Sequence, residues 1–164
     1  MLLNFTVENW MSYRDQTSLN MTASLERQHG RTLAKLPGFR SKKALPIAAV
    51  YGGNASGKTG VFQGIAALRH MVVSDPGVNG VLPMEPFMLE ANATMRPTTF
   101  DITFLAGSAV YRYIVEGTVD GILYESLEQV SEKGSVNVFE REETRSEPAH
   151  YKFNDLFFSA SDHL

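Results

Sequence analysis

Residues 52–59 read Gly52-Gly53-Asn54-Ala55-Ser56-Gly57-Lys58-Thr59. A glycine, four residues, and then Gly-Lys-Thr is the spacing of a loop that wraps phosphate groups. Gly52 and Gly57 permit backbone conformations and a close approach that a Cβ would hinder. Gly53, Asn54, Ala55 and Ser56 would then turn their N–H groups inward as an anion nest, backed by the dipole of the 58–71 helix, whose first turn holds Gly60. Lys58 is placed to reach the β- and γ-phosphates as a point charge and to meet charge that develops in transfer. The Thr59 hydroxyl is placed to ligate Mg²⁺. Together these residue types suit ATP, or another nucleoside triphosphate, with Mg²⁺. The plain alternative is a flexible glycine turn carrying a surface lysine.

Such a loop works only between a buried strand and a helix. Residues 44–51 hold Leu45, Ile47, Ala48, Ala49 and Val50, and this apolar run predicts a parallel strand buried on both faces. From Lys58 to about Met71, Val61, Ile65 and Leu68 recur at helical spacing, with Phe62 and Ala66 widening the stripe. Asp75-Pro76-Gly77 signals a turn beyond that helix. Upstream, Leu3, Phe5 and Val7 alternate with polar residues over 2–10, and Leu19, Met21 and Ala23 alternate over 16–23. The two stretches predict an antiparallel pair with a turn at 12–15.

Residues 26–43 contain Arg27, Arg31, Lys35, Arg40, Lys42 and Lys43 against the single acid Glu26. A solvated connection is the preferred reading, and a basic edge that meets nucleic acid or triphosphate is the sharper one. Residues 78–97 hold three prolines and read as loop. Alternating stretches at 99–105, 110–118, 122–130, 136–140 and 150–153 predict an antiparallel sheet, with Phe100, Ile102 and Phe104 on one face. The fold class is therefore α/β of the mixed α+β kind: a P-loop half-domain, strand and helix, beside an antiparallel lobe. The organisation is a first part, 1–77, and a second, 78–164.

The 164 residues suffice for one domain with its own core. A net charge of −3 gives no general pull toward nucleic acid or membrane. The chain has no cysteine, so neither a disulfide nor a thiolate-bound zinc can form. His29, His70, His150 and His163 lack metal-ligand spacing. The first ten residues do not read as a secretory signal, and no apolar run approaches a membrane span. These features place the protein in the cytoplasm with no membrane partner.

The wording YGGNASGKT resembles the loops of ABC-type ATPases of the SMC, RecF and OLD group, and the run from Phe5 to Tyr13 resembles that group's first strand and turn. Further segments are similar to the bacterial "AAA family ATP-binding protein" branch of abortive-infection and restriction-associated loci. They are Glu85-Pro86-Phe87-Met88-Leu89, Pro97-Thr98-Thr99-Phe100-Asp101-Ile102, Tyr111-Arg112-Tyr113 and Ile122-Leu123-Tyr124-Glu125-Ser126-Leu127. This resemblance implies ATP binding in phage defence or DNA metabolism. It also implies assembly with a second copy or with the rest of an ATPase head. Met11 stands where the group has a basic residue, and Arg14 is the substitute at hand. Trp10 and Tyr13 offer aromatic faces that could stack on adenine, although a core role for Trp10 is preferred.

Hydrolysis in such ATPases needs an apolar strand ending in Asp-Glu, where the resemblance assigns Mg²⁺ ordering to Asp and water activation to Glu. No such strand occurs here, and no Leu-Ser-Gly-Gly-like signature follows. The expectation is the N-terminal part of a longer ATPase, which binds nucleotide without appreciable turnover. Two alternatives belong to other classes. A GTPase should carry Asn-Lys-x-Asp and a small-molecule kinase an Arg-rich lid, and neither pattern is present. A nucleotide-switched interaction module would look the same in sequence.

Overall fold

The computed structural model describes residues 1–23, 30–74, 81–144 and 147–158. Its main element is one seven-stranded antiparallel sheet in the order β2-β1-β5-β6-β7-β8-β9. These strands are β1 (Leu2–Glu8), β2 (Thr17–Asn20), β5 (Thr98–Ala106), β6 (Ala109–Thr118), β7 (Gly121–Ser131), β8 (Gly134–Thr144) and β9 (Glu147–Phe153). Between β2 and β5 lie a short pair, β3 (Ala34–Lys35) with β4 (Lys43–Ala44), and the helix α1 (Lys58–Val73). The class is the mixed α/β one expected, with each alternating stretch now a strand. Because β1 pairs with β5, the first strand pair and the later strands form a single sheet.

One sheet face carries α1. Phe5 and Val7 of β1 lie opposite Ile102 and Phe100 of β5, and Val115 of β6 lies opposite Phe100. Phe5, Val7, Phe100 and Val115 are all at most 1% exposed. Trp10 meets Phe100 edge-on at 5.0 Å and Phe5 stacks on it at 6.1 Å. Burying each of these rings contributes about 2–3 kcal/mol. Ala67 and Leu68 of α1 belong to this core, Val61, Ile65 and Met71 pack against it, as expected for Val61 and Ile65, and Gly60 and Gly64 are also buried. A Cβ on Gly64 would lie 3.2 Å from the Phe5 ring and 3.3 Å from Phe100, so the glycine lets the helix axis approach the aromatic pair.

The other face packs on the basic segment. Leu3 and Val110 form a cluster with Leu36 and Ala44, which Phe39 flanks. Leu3 departs from its expected place beside Phe5 and Val7. A register shift between Leu2 and Asn4 inserts one extra residue against β5, and such a bulge turns the side chain to the opposite face.

Two further expectations fail. Residues 45–51 form no strand, and Ile47 and Tyr51 are 81% and 92% exposed. An apolar run becomes a buried parallel strand only with parallel neighbours on both sides, and the pairings among the described residues are antiparallel. Phe62 and Ala66 also lie outside the packed stripe, with Phe62 54% exposed. The stripe Val61, Ile65 and Leu68 packs on the core as expected, and it widens on the side of Gly60, Gly64 and Ala67 instead. The Asp75-Pro76-Gly77 turn and the start of the basic segment, including Glu26 and Arg27, lie outside the described residues.

Candidate functional site

Residues 52–57 lead directly into α1, so the phosphate-loop pattern sits at a helix N-terminus. Gly57 takes the left-handed conformation, φ 87°, at the N-cap. A Cβ there would also fall 3.0 Å from Ser12 Oγ and 3.1 Å from Tyr13 Oη, so conformation and space both demand glycine. Ala55 shares the left-handed region at φ 60°. The Lys58 ammonium folds back into the loop and donates to the carbonyls of Gly52 at 2.9 Å and Gly53 at 2.5 Å, with Ser56 Oγ at 3.4 Å. All three acceptors are neutral. A phosphate oxygen is charged and would bind the ammonium more strongly than they do.

The turn after β1 braces this loop from behind. Trp10 and Tyr13 close it through paired backbone bonds of 2.8 and 2.7 Å. Tyr13 Oη donates to the Gly57 carbonyl at 2.8 Å, and Trp10 Nε1 donates to the Gly60 carbonyl at 2.8 Å. Burial pushes the Tyr13 hydroxyl pKa up, which keeps it a neutral donor. Trp10 is only 2% exposed. Its indole is core, with its N–H already bonded, so it is removed from the candidate base contacts. Tyr13 is half-buried against Gly60 and holds the loop rather than offering a free face. Arg14 pairs with Glu90 at 3.3 Å.

Opposite the phosphate loop runs a strap, residues 84–97, held by a residue that sequence reasoning missed. Asn9 is fully buried and left-handed at φ 49°. Its amide donates to the carbonyls of Ala93 and Arg96, both at 3.0 Å, and its Oδ1 accepts from Phe87 N–H at 3.1 Å. The Thr98 hydroxyl donates to the Asn9 carbonyl at 2.8 Å. The Met11 N–H donates to the Glu85 carbonyl at 2.7 Å. Arg96 adds ion pairs to Glu90 at 2.8 Å and Glu8 at 3.2 Å. Two signals were in the sequence: Asn9 lies in the Phe5–Tyr13 run that carries the resemblance, and asparagine at a strand end tolerates positive φ and can bond in several directions.

Between loop and strap lies a cleft of about 910 Å³. Its lining joins Ala55 through Gly60 to Ser12 and Gln63 on one side and to residues 84–89 on the other. Among the described residues Glu85 is the one acid of that lining. Thr59 supplies an oxygen donor to the cleft. The described residues contain no group of three or more His, Asp or Glu able to hold a metal. Mg²⁺ beside a nucleotide usually takes most of its ligands from phosphate and water.

Residues 47–155 match the family model described as "AAA domain, putative AbiEii toxin, Type IV TA system". No curated protein matches the chain. The match begins just before the phosphate loop, includes the helix and strap, and ends after β9. It covers more than half of the chain, which therefore belongs to this AAA-domain family of nucleotide-binding P-loop ATPases.

Proposed function

We propose that residues 52–60 wrap the triphosphate of Mg-ATP, with Lys58 on the β- and γ-phosphates and Thr59 on the metal. The observation that carries this reading is the left-handed Gly57 at the N-cap of α1, with the Lys58 ammonium turned into the loop. An anion there meets helix N–H groups, the helix dipole and one cation together. Calorimetry tests the reading. Lys58→Ala should lose measurable ATP binding while circular dichroism stays unchanged, and equal affinities would refute it.

Within the family, the chain acts as the nucleotide-binding part of an ABC-type head of the SMC, RecF and OLD kind, serving phage defence or DNA metabolism in the cytoplasm. The YGGNASGKT wording and the strap segment 85–89 support this placement. Among the described residues no helix is long and apolar enough to cross a membrane. Partners follow from two surfaces. Exposed Arg31, Lys35, Arg40 and Lys42 suit nucleic acid. The exposed apolar residues Ile47, Val50 and Tyr51 suit the rest of a head or a second copy. Association through that apolar segment does not involve nucleotide. Sedimentation should therefore give the same state with and without Mg-ATP, and a dimer formed only with Mg-ATP would contradict this.

A further inference from the structure

The cleft continues beyond its phosphate-binding end. Its remaining wall is mostly apolar, with Met11, Met84, Phe87, Met88, Leu89 and Val119, and its polar members are Ser12, Gln63, Glu85 and Thr94. Three of the chain's seven methionines meet there. The wall is set in place independently of any ligand. Met84 is 4% exposed and packs where Gly117 lacks a side chain, since a Cβ on Gly117 would lie 3.0 Å from Met84 Cε. Phe87 is fixed through its N–H to Asn9, and Met11 through its N–H to Glu85. Met88 and Leu89 are 68% and 90% exposed, a costly state for large apolar side chains at the mouth of a cleft unless something covers them.

We infer that this wall seats the base of the nucleotide whose phosphates lie on residues 52–60. The inference rests on the phosphate-loop reading above. A nucleotide is itself divided, with a polyanion at one end and a flat, largely apolar ring at the other, and the cleft has the same division. Its volume falls in the usual range of cofactor sites, roughly 300–1,000 Å³. The indole of Trp10 is sealed in the core and the Tyr13 hydroxyl is bonded to the loop, so the aromatic residues of the preceding turn do not compete for this role. Methionine side chains are flexible and polarisable and adapt to rings of different outline. A wall of mostly this composition grips chiefly the plane of a base, with only a few polar side chains, such as Glu85 and Thr94, to meet its edge. The site therefore accepts adenine and guanine nucleotides with weak discrimination.

The test is calorimetry with Mg-ATP, Mg-GTP and Mg-tripolyphosphate on the whole chain, on the double variant Met88→Ala/Leu89→Ala, and on Lys58→Ala. The two truncated side chains are exposed, so the fold does not depend on them. ATP and GTP affinities of the wild type should agree within about tenfold. The double variant should lose roughly tenfold for both, the effect of withdrawing on the order of 50 Å² of apolar contact, and should keep its tripolyphosphate affinity. Unchanged ATP affinity in the double variant, with Lys58→Ala still abolishing binding, would overturn the base seat and leave the phosphate loop standing. An equal loss for tripolyphosphate would overturn it as well, because a base contact does not act on phosphate alone. A wild-type preference beyond tenfold would overturn the weak discrimination. Lys58-independent binding of all three ligands would remove the phosphate-loop reading and the base seat together.

Discussion

Gly60 couples the loop to the turn behind it, and the coupling predicts a reversal of sign. Glycine in a helix is less favourable than alanine by about 0.5–1 kcal/mol, so Gly60→Ala should stabilise α1 if nothing else changed. The new Cβ would, however, lie 3.1 Å from Tyr13 Cε2. That ring cannot swing aside freely. Its hydroxyl is bonded to the Gly57 carbonyl, and its backbone is paired with Trp10. Overpacking of this kind costs about 1–3 kcal/mol, so Gly60→Ala alone should destabilise the chain by roughly 0–2 kcal/mol, the difference of those terms. In a Tyr13→Ala background the nearest remaining atom is Ser12 Oγ at 3.7 Å, an ordinary contact. There the same substitution should stabilise by about 0.5–1 kcal/mol. Urea unfolding of the four proteins measures both effects, and equal m-values confirm that the same transition is being compared. The same sign in both backgrounds would refute the claim that Tyr13 is the reason residue 60 is glycine.

The chain alone should release phosphate from ATP no faster than background, since no acid pair of the expected kind occurs in its sequence. Steady release that vanishes in both Lys58→Ala and Glu85→Gln would identify Glu85, the acid of the cleft lining, as a carboxylate competent to activate water. Asn9→Ala should cost about 3–4 kcal/mol in denaturant unfolding. Three side-chain hydrogen bonds at about 1 kcal/mol each are lost, and alanine is less at ease than asparagine at positive φ. A cost below about 1 kcal/mol would mean that the strap is held by something other than this amide.

What the sequence made legible depends on how local its cause is. The loop at 52–59 is fixed by residue types that act on their own backbone, and the alternation of Phe100, Ile102 and Phe104 declares its own pleat. Both were readable without neighbours. The contact face of α1 was readable in part: the stripe Val61, Ile65 and Leu68 packs on the core as expected, but its widening runs through Gly60, Gly64 and Ala67, and a search for large apolar residues passes over the glycines. The preferred core role of Trp10 holds, but the partners that fix it, Phe100 and the Gly60 carbonyl, are far from it in the chain and were not legible. The bulge at Leu3 is a property of the pairing with β5, and nothing in the Leu-Leu-Asn-Phe wording distinguishes it.

Residues 45–51 show the same dependence from the other side. Their composition is that of a central parallel strand, yet a strand exists only as one member of a ladder, and beyond the Leu45 N–H, which donates to the Met21 carbonyl, the described strands offer residues 46–51 no ladder. Local composition states a capacity, and the partner decides whether it is used. This is also why the base seat is argued from the cleft and not from the sequence. Residues 84–89 read in sequence as loop, and 85–89 as part of a family resemblance, and they gain a place in a site only where Asn9 and Gly117 hold that loop across from Lys58.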